Sequence, residues 1–204
     1  MLDALDKTGS APTAEAPLLP TTGRSPASLT PPGWSRESET SGDLDRDGRP
    51  DLVLILVSPE GDHRVLVTGR GTPQGFRKIG EAALRPHPLQ PAVVSISDRG
   101  VLSVEDLFGG DTAIQTTYRF RYDAQSGRVR LVSLDAVHFS RTDQHDTNRV
   151  SINYATGERA DQLDKLMEDG TYAVQKPRRR KGRPAVLYME NTPDPTVILG
   201  LTVA

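Results

Sequence analysis

Four aspartates carry the densest chemistry in the chain. Residues 42–56 read GDLDRDGRPDLVLIL, with Asp43, Asp45, Asp47 and Asp51 at positions 1, 3, 5 and 9 of a loop, Gly48 at position 6 and Arg49 at position 7. Alternating carboxylates, a glycine turn and the backbone carbonyl of Arg49 assemble an oxygen cage of the kind Ca2+ takes, at about 2.3–2.6 Å per ligand. Carboxylates converging without a cation repel one another, and with one the repulsion becomes ligation. Calcium is therefore the expected cofactor, held by the side chains of Asp43, Asp45, Asp47 and Asp51 and the Arg49 carbonyl. A solvated acidic turn is the competing reading. Position 12 is Leu54 where an EF-hand loop has its bidentate glutamate, and the LVLILV after Asp51 is a strand and not a helix. The loop therefore does not read as part of a helix-loop-helix sensor.

No other segment reads as a reactive constellation. His63, His87, His138 and His145 are scattered, and none pairs with another at metal-ligand spacing. There is no nucleophile elbow, no P-loop and no cysteine. Glu105 with Asp106, or Glu158 with Asp161, are the carboxylate pairs a glycoside hydrolase would need. The run from Lys176 to Arg183 holds six positive charges without an interleaved aromatic, which favours a solvated loop, or contact with an acidic partner or anionic surface, over nucleic acid. Such a contact is salt-sensitive.

The elements that position these groups are strands. Asp51 to Val57 is a buried run, Arg64 to Thr68 alternates, and Val93 to Ile96 with Val101 to Val104 forms a hairpin closed by Ser97-Asp98-Arg99-Gly100. Thr112 to Tyr122 and Arg128 to Val137 form a second hairpin through Asp123–Gly127. In its first strand Tyr118, Phe120 and Tyr122 share one face against Arg119 and Arg121, and in its second Val129, Leu131 and Ser133 alternate with Arg128 and Arg130, so each puts one face on a core and the other in water. Val150 to Tyr154, Ala185 to Met189 and Thr196 to Val203 add strands. Ala160, Leu163, Leu166 and Met167 are spaced for one short helix over 158–167. The expected fold is mostly β, with antiparallel sheets arranged as a sandwich or partial propeller, one calcium loop and one short helix.

Composition sets the outer bounds. Six of the 16 prolines fall between Pro12 and Pro32, in a segment rich in Ala, Ser and Thr. Such a segment does not repay its ordering by burial, so residues 1–32 read as a disordered linker or stalk and 33–204 as one β domain. The 204 residues carry 25 Lys+Arg against 27 Asp+Glu, a net charge of −2, which argues against a dedicated nucleic-acid binder. No apolar stretch approaches the roughly 20 residues of a membrane span. The absence of cysteine suits a bacterial envelope as well as a cytosol. Met1 to Lys7 has neither the basic start nor the apolar core of a signal peptide. The chain therefore reads as cytosolic, or as a mature fragment whose signal or lipidated cysteine lies upstream.

The DxDxDGxxD loop running into a strand resembles the calcium loops of FG-GAP and VCBS repeats. That resemblance implies a metal that staples structure. A full propeller needs repeats, and neither Gly109-Gly110-Asp111 nor Asp143-Gln144-His145-Asp146 reproduces the spacing. The order PPGW, an acidic spacer, GDLDRDGRPDLVL, a hairpin, VLSVEDLFGGD, TYRFRYD, RLVSLDAVHFS and SINYATGE resembles a bacterial family of periplasmic, often lipid-anchored, FG-GAP/VCBS-like proteins. Some members of that family are immunity proteins that protect against lysozyme-like peptidoglycan hydrolases delivered by type IV secretion in antibacterial competition. The resemblance implies a periplasmic or outer-membrane location, a hydrolase as protein partner, and inhibition by a loop inserted in its cleft. The candidate loops are Phe108-Gly109-Gly110-Asp111 and Tyr154-Ala155-Thr156-Gly157-Glu158. A glycan hydrolase using Glu158 or Glu105, and an adhesive or assembly module, are the rival functions.

Overall fold

A strand that is apolar at every position needs cover on both faces, and the fold gives LVLILV two different covers. In the computed structural model, which describes residues 19–201, this segment is a strand buried from Asp51 to Leu56. Val53 and Ile55 enter a core shared by two sheets. Leu52, Leu54 and Leu56 enter a second cluster on the opposite face, closed by Leu19, Leu29, Trp34 and Phe76.

The first sheet is antiparallel and contains β1 (Thr22–Gly23), β2 (Ser35–Gly42), β3 (Asp51–Val57), β4 (Arg64–Thr72) and β5 (Gly75–Leu84), in the order β1-β5-β4-β3-β2. The second is a longer antiparallel run of β6 (Val93–Ile96), β7 (Val101–Gly109), β8 (Thr112–Asp123), β9 (Arg128–Ser140), β10 (Thr147–Asn153), β11 (Glu158–Leu166) and β12 (Tyr172–Ala173). Two short strands lie off this path, β13 (Arg178–Lys181) against β11 and β14 (Leu187–Tyr188) against β9. The sheets pack face to face, with Val53, Ile55, Leu66 and Ile79 of the first meeting Leu102, Phe120, Leu131 and Leu134 of the second. The protein is a mostly β sandwich with one short α-helix, and among the described residues neither sheet closes into a barrel. No described helix is long and apolar enough to cross a membrane.

Both hairpins form where the spacing predicts. Gly100 N–H donates to Ser97 O (2.8 Å) in the first turn and Gly127 N–H to Asp123 O (2.8 Å) in the second. A bulge in β9 makes Phe120 oppose Leu131 and Arg119 oppose Ser133, so that Leu134, and not Ser133, returns to the core.

Several expectations are corrected. The stalk over 1–32 is too long, because Leu19 and Leu29 are buried, Thr22–Gly23 pairs with β5, and Pro26–Leu29 forms a 3-10 turn. Residues 1–18 lie outside the described part of the chain. The acidic spacer is β2. The helix over 158–167 is β11, in register with β10 from Asn153↔Glu158 to Thr147↔Asp164. It lies beyond the margin of the core, where ion pairs such as Arg159–Asp161 (2.7 Å) replace apolar alternation, and Leu163 and Met167 remain exposed. The expected C-terminal strand begins instead as helix α1 (Pro195–Ile198), capped by Asp194, whose carboxylate accepts from Thr196 N–H (2.8 Å), with Pro195 in its first turn. Residues 202 and 203 of that segment lie outside the described residues. Ile198, Leu199 and Leu201 pack over Phe108, Ile114 and Val150, on the part of the second sheet that the first does not reach. The strand expected over 185–189 shrinks to β14 followed by a 3-10 turn at Met189–Asn191.

Candidate metal corner and exposed turns

The loop between β2 and β3 is organised by its last carboxylate. Asp51 is fully buried, and its Oδ2 accepts from Leu44 N–H (2.8 Å) and Asp45 N–H (3.2 Å), while Oδ1 accepts from Gly71 N–H (2.7 Å) on β4. Gly71 permits the last bond by close approach, since a Cβ there would stand 2.4 Å from Pro50 O. Burial pushes the Asp51 carboxyl up from its ordinary range, against the backbone bonds that pull it down. Asp43 accepts from Asp47 N–H (3.1 Å) and Gly48 N–H (2.9 Å), closing the turn in which Gly48 adopts φ +85°.

One carboxylate oxygen each from Asp43, Asp45 and Asp51 lies within 4.8 Å of the others. Ligands on opposite sides of one Ca2+ stand about 4.6–5.2 Å apart, twice the bond length, so the three oxygens fit around a single ion. This cluster could bind a metal ion. Asp47, expected as a fourth ligand, is instead directed to arginines, with Arg70 Nη2 at 3.0 Å and Arg49 Nη1 at 3.7 Å. Its pKa is lowered, first by the bond from Arg49 N–H and then, against burial that raises it, by the nearby Arg70 and Arg49 charges. Arg70 also pairs through Nε with Asp45, whose side chain is buried, and its guanidinium lies 5.7 Å from the Tyr122 ring centroid. The hydrogen bond to Asp45 holds the Arg70 guanidinium above its ordinary range. An arginine thus supplies one positive charge to the loop, and spacing gave no sign of it because Arg70 arrives from β4.

A second arginine cluster, also silent in the sequence, ties the sheets together. Arg64 of β4 is 2% exposed. It donates from Nε and Nη2 to Glu37 of β2 (2.6 Å each) and from Nη1 to both oxygens of Asp106 on β7 (2.9 Å) and to Arg85 O (3.2 Å). Burial opposes its charge, but the hydrogen bonds to Glu37 and Asp106 prevail and raise its pKa. Asp106 is consequently committed to structure, and Glu105, its neighbour on β7, is exposed on the opposite face. Glu158 and Asp161, three apart on β11, also point to opposite faces. Neither carboxylate pair converges.

The two candidate loops stand at opposite ends of the second sheet, as the antiparallel order β7-β8-β9-β10-β11 requires. Gly109–Asp111 is an exposed turn fixed by Gly110 N–H to Thr112 O (2.9 Å) and by Arg141 N–H to Asp111 O (2.7 Å). Nothing lies within 4 Å of a Cβ built on Gly110. In the other loop, Tyr154 turns toward the shared core and its hydroxyl is buried without a hydrogen-bond partner. Burial raises the Tyr154 pKa. Gly157 is pinned by β13, with Gly182 N–H donating to its carbonyl (2.7 Å) and Gly182 O 2.4 Å from where a Cβ would stand. Only Ala155, Thr156 and Glu158 are open there, and Thr156 Oγ1 donates to Glu158 (3.1 Å).

The histidines prove less scattered than their spacing. His138 and His145 stack with centroids 4.8 Å apart and planes at 10°. His145 Nδ1 donates to Asp146 O (2.7 Å), and its Nε2 lies 3.0 Å from Thr112 Oγ1. Burial, and next the His145 charge, lower the His138 pKa.

Comparison of the chain with protein-family models, curated proteins and solved structures gave no match.

Proposed function

We propose that this chain is a calcium-stapled binding protein of the bacterial envelope that inhibits a lysozyme-like peptidoglycan hydrolase by seating the Gly109–Asp111 turn in its cleft. The observation that carries the reading is the turn itself. It is exposed, held by two backbone hydrogen bonds to its own sheet, open around Gly110 and tipped by a carboxylate. A turn already ordered loses little entropy on binding. The general acid of such a hydrolase is protonated at working pH, and the Asp111 carboxylate can accept a hydrogen bond from it. The metal corner acts at a distance by fixing β3 and β4, on which the core rests. Calcium is the proposed ion because all donors there are hard oxygens. A periplasmic or outer-membrane location, with a lipid anchor upstream, places the protein where such hydrolases arrive.

The test mixes the full chain with lysozyme-like enzymes encoded beside its gene and follows clearing of peptidoglycan. The chain is expected to suppress lysis, and Gly110→Trp or Asp111→Lys to relieve suppression with an unchanged melting temperature. Turnover of peptidoglycan by the chain alone, or no suppression by any such pairing, would reject the proposal.

A further inference from the structure

The basic run expected as a loop is a strand with a free edge. β13 pairs with β11 on one side, from Asp161↔Arg178 to Glu158↔Lys181, and among the described residues nothing pairs with its other side. All four of its residues are exposed. Gly182 N–H donates inward to Gly157 O, so the two-residue period of the ladder turns the N–H and C=O groups of Arg179 and Lys181 away from the sheet. Side chains alternate as well, with Arg179 and Lys181 on one face and Arg178 and Arg180 on the other. Among the described residues the run makes one ion pair, Arg180 Nη2 to Asp161 (3.3 Å).

We infer that the outer edge of β13 is a docking strand for an extended acidic segment of a partner protein. Open backbone groups supply the ladder hydrogen bonds of strand addition, and the charges select the sequence that pairs. The two rows of cations decide among polyanions. A membrane surface engages one face of a sheet edge, whereas an added strand projects carboxylates to both faces and meets both rows. Single-stranded nucleic acid is bound through stacking aromatics, and none stands between Lys176 and Arg183. The edge lies beside β11 and away from the Gly109–Asp111 turn, so this inference does not depend on the hydrolase reading.

The experiment measures fluorescence anisotropy of the full chain with a labelled peptide of alternating glutamate and valine, and with the same peptide N-methylated at alternate amides. N-methylation keeps the charge and removes the ladder. Binding is expected to weaken at least about tenfold on N-methylation, and comparably in Arg179→Glu/Lys181→Glu and in Arg178→Glu/Arg180→Glu. Amide exchange at Arg179 and Lys181 should slow when the unmethylated peptide binds. Equal affinity for both peptides, unchanged exchange at those amides, or tighter binding to phosphatidylglycerol vesicles or single-stranded DNA would overturn the inference. Asp111→Lys serves as the control, since it is expected to leave peptide affinity unchanged.

Discussion

Two arginines of β4, Arg64 and Arg70, each face several carboxylates, and the two clusters are built to opposite ends. Around Arg64 the guanidinium is used up: Glu37 and Asp106 take it from two sides, a carbonyl takes a further bond, and the side chain is 1% exposed. Around Arg70 the side chain is 30% exposed and the guanidinium pairs with two of the loop's carboxylates, Asp45 and Asp47, leaving Asp43 and Asp51 to backbone donors. A closed cluster of this kind is a joint between sheets. An open one retains carboxylate lone pairs with no cation of their own, which is what a metal requires. Residue type does not separate the two cases, and saturation of the donors and acceptors does.

The largest expected effect lies in the closed cluster. Replacing Arg64 by Met leaves the buried Asp106 carboxylate without a partner and Glu37 with only the Ala92 N–H, and should cost about 3–5 kcal/mol of stability, read by urea denaturation. A loss below about 1 kcal/mol would make the cluster as dispensable as a surface pair. Next comes calcium. At a hundredfold excess over its dissociation constant a bound ion adds about 2.7 kcal/mol, so the melting temperature should rise on adding calcium to chelated protein. Asp45→Ala should lose that rise.

Arg70→Gln separates the two readings of the open cluster. If Arg70 competes with the ion for Asp45, the variant should bind calcium about tenfold tighter, and lose no more than about 1 kcal/mol when metal-free. An unchanged affinity would show that Arg70 and the ion occupy the loop together. The smallest effect belongs to the histidine stack. Because the folded pKa of His138 lies below 6.5, its neutral form favours the fold. That contribution is present above 6.5 and is lost as pH falls through the folded value. His145→Gln should flatten the slope of melting temperature in that window.

The central elements of the fold were legible because their patterns are local. LVLILV, the aromatic alternation of β8 and the glycine turns at 100 and 127 announce strands and hairpins by themselves. The same run also implied a cover for its second face, which Leu19 and Leu29 provide from within a Pro-rich segment that composition marks as disordered. β2 and β11 were missed for one reason: they lie at sheet margins, where neighbours and ion pairs replace apolar alternation. α1 was missed although Asp194-Pro195-Thr196 is a start signal, since the β-branched and apolar residues after it read as a strand. Of the candidate site, Asp43, Asp45 and Asp51 follow from spacing. The diversion of Asp47 to Arg70 does not, because the arginine comes from another strand.

Calorimetric titration of chelated protein with calcium tests the open cluster most directly. One ion per chain is expected, with a dissociation constant at or below about 1 mM, and no binding in Asp45→Ala. Absence of a saturable heat in the native chain, or equal binding by the variant, would contradict the metal corner on which the account of this scaffold rests.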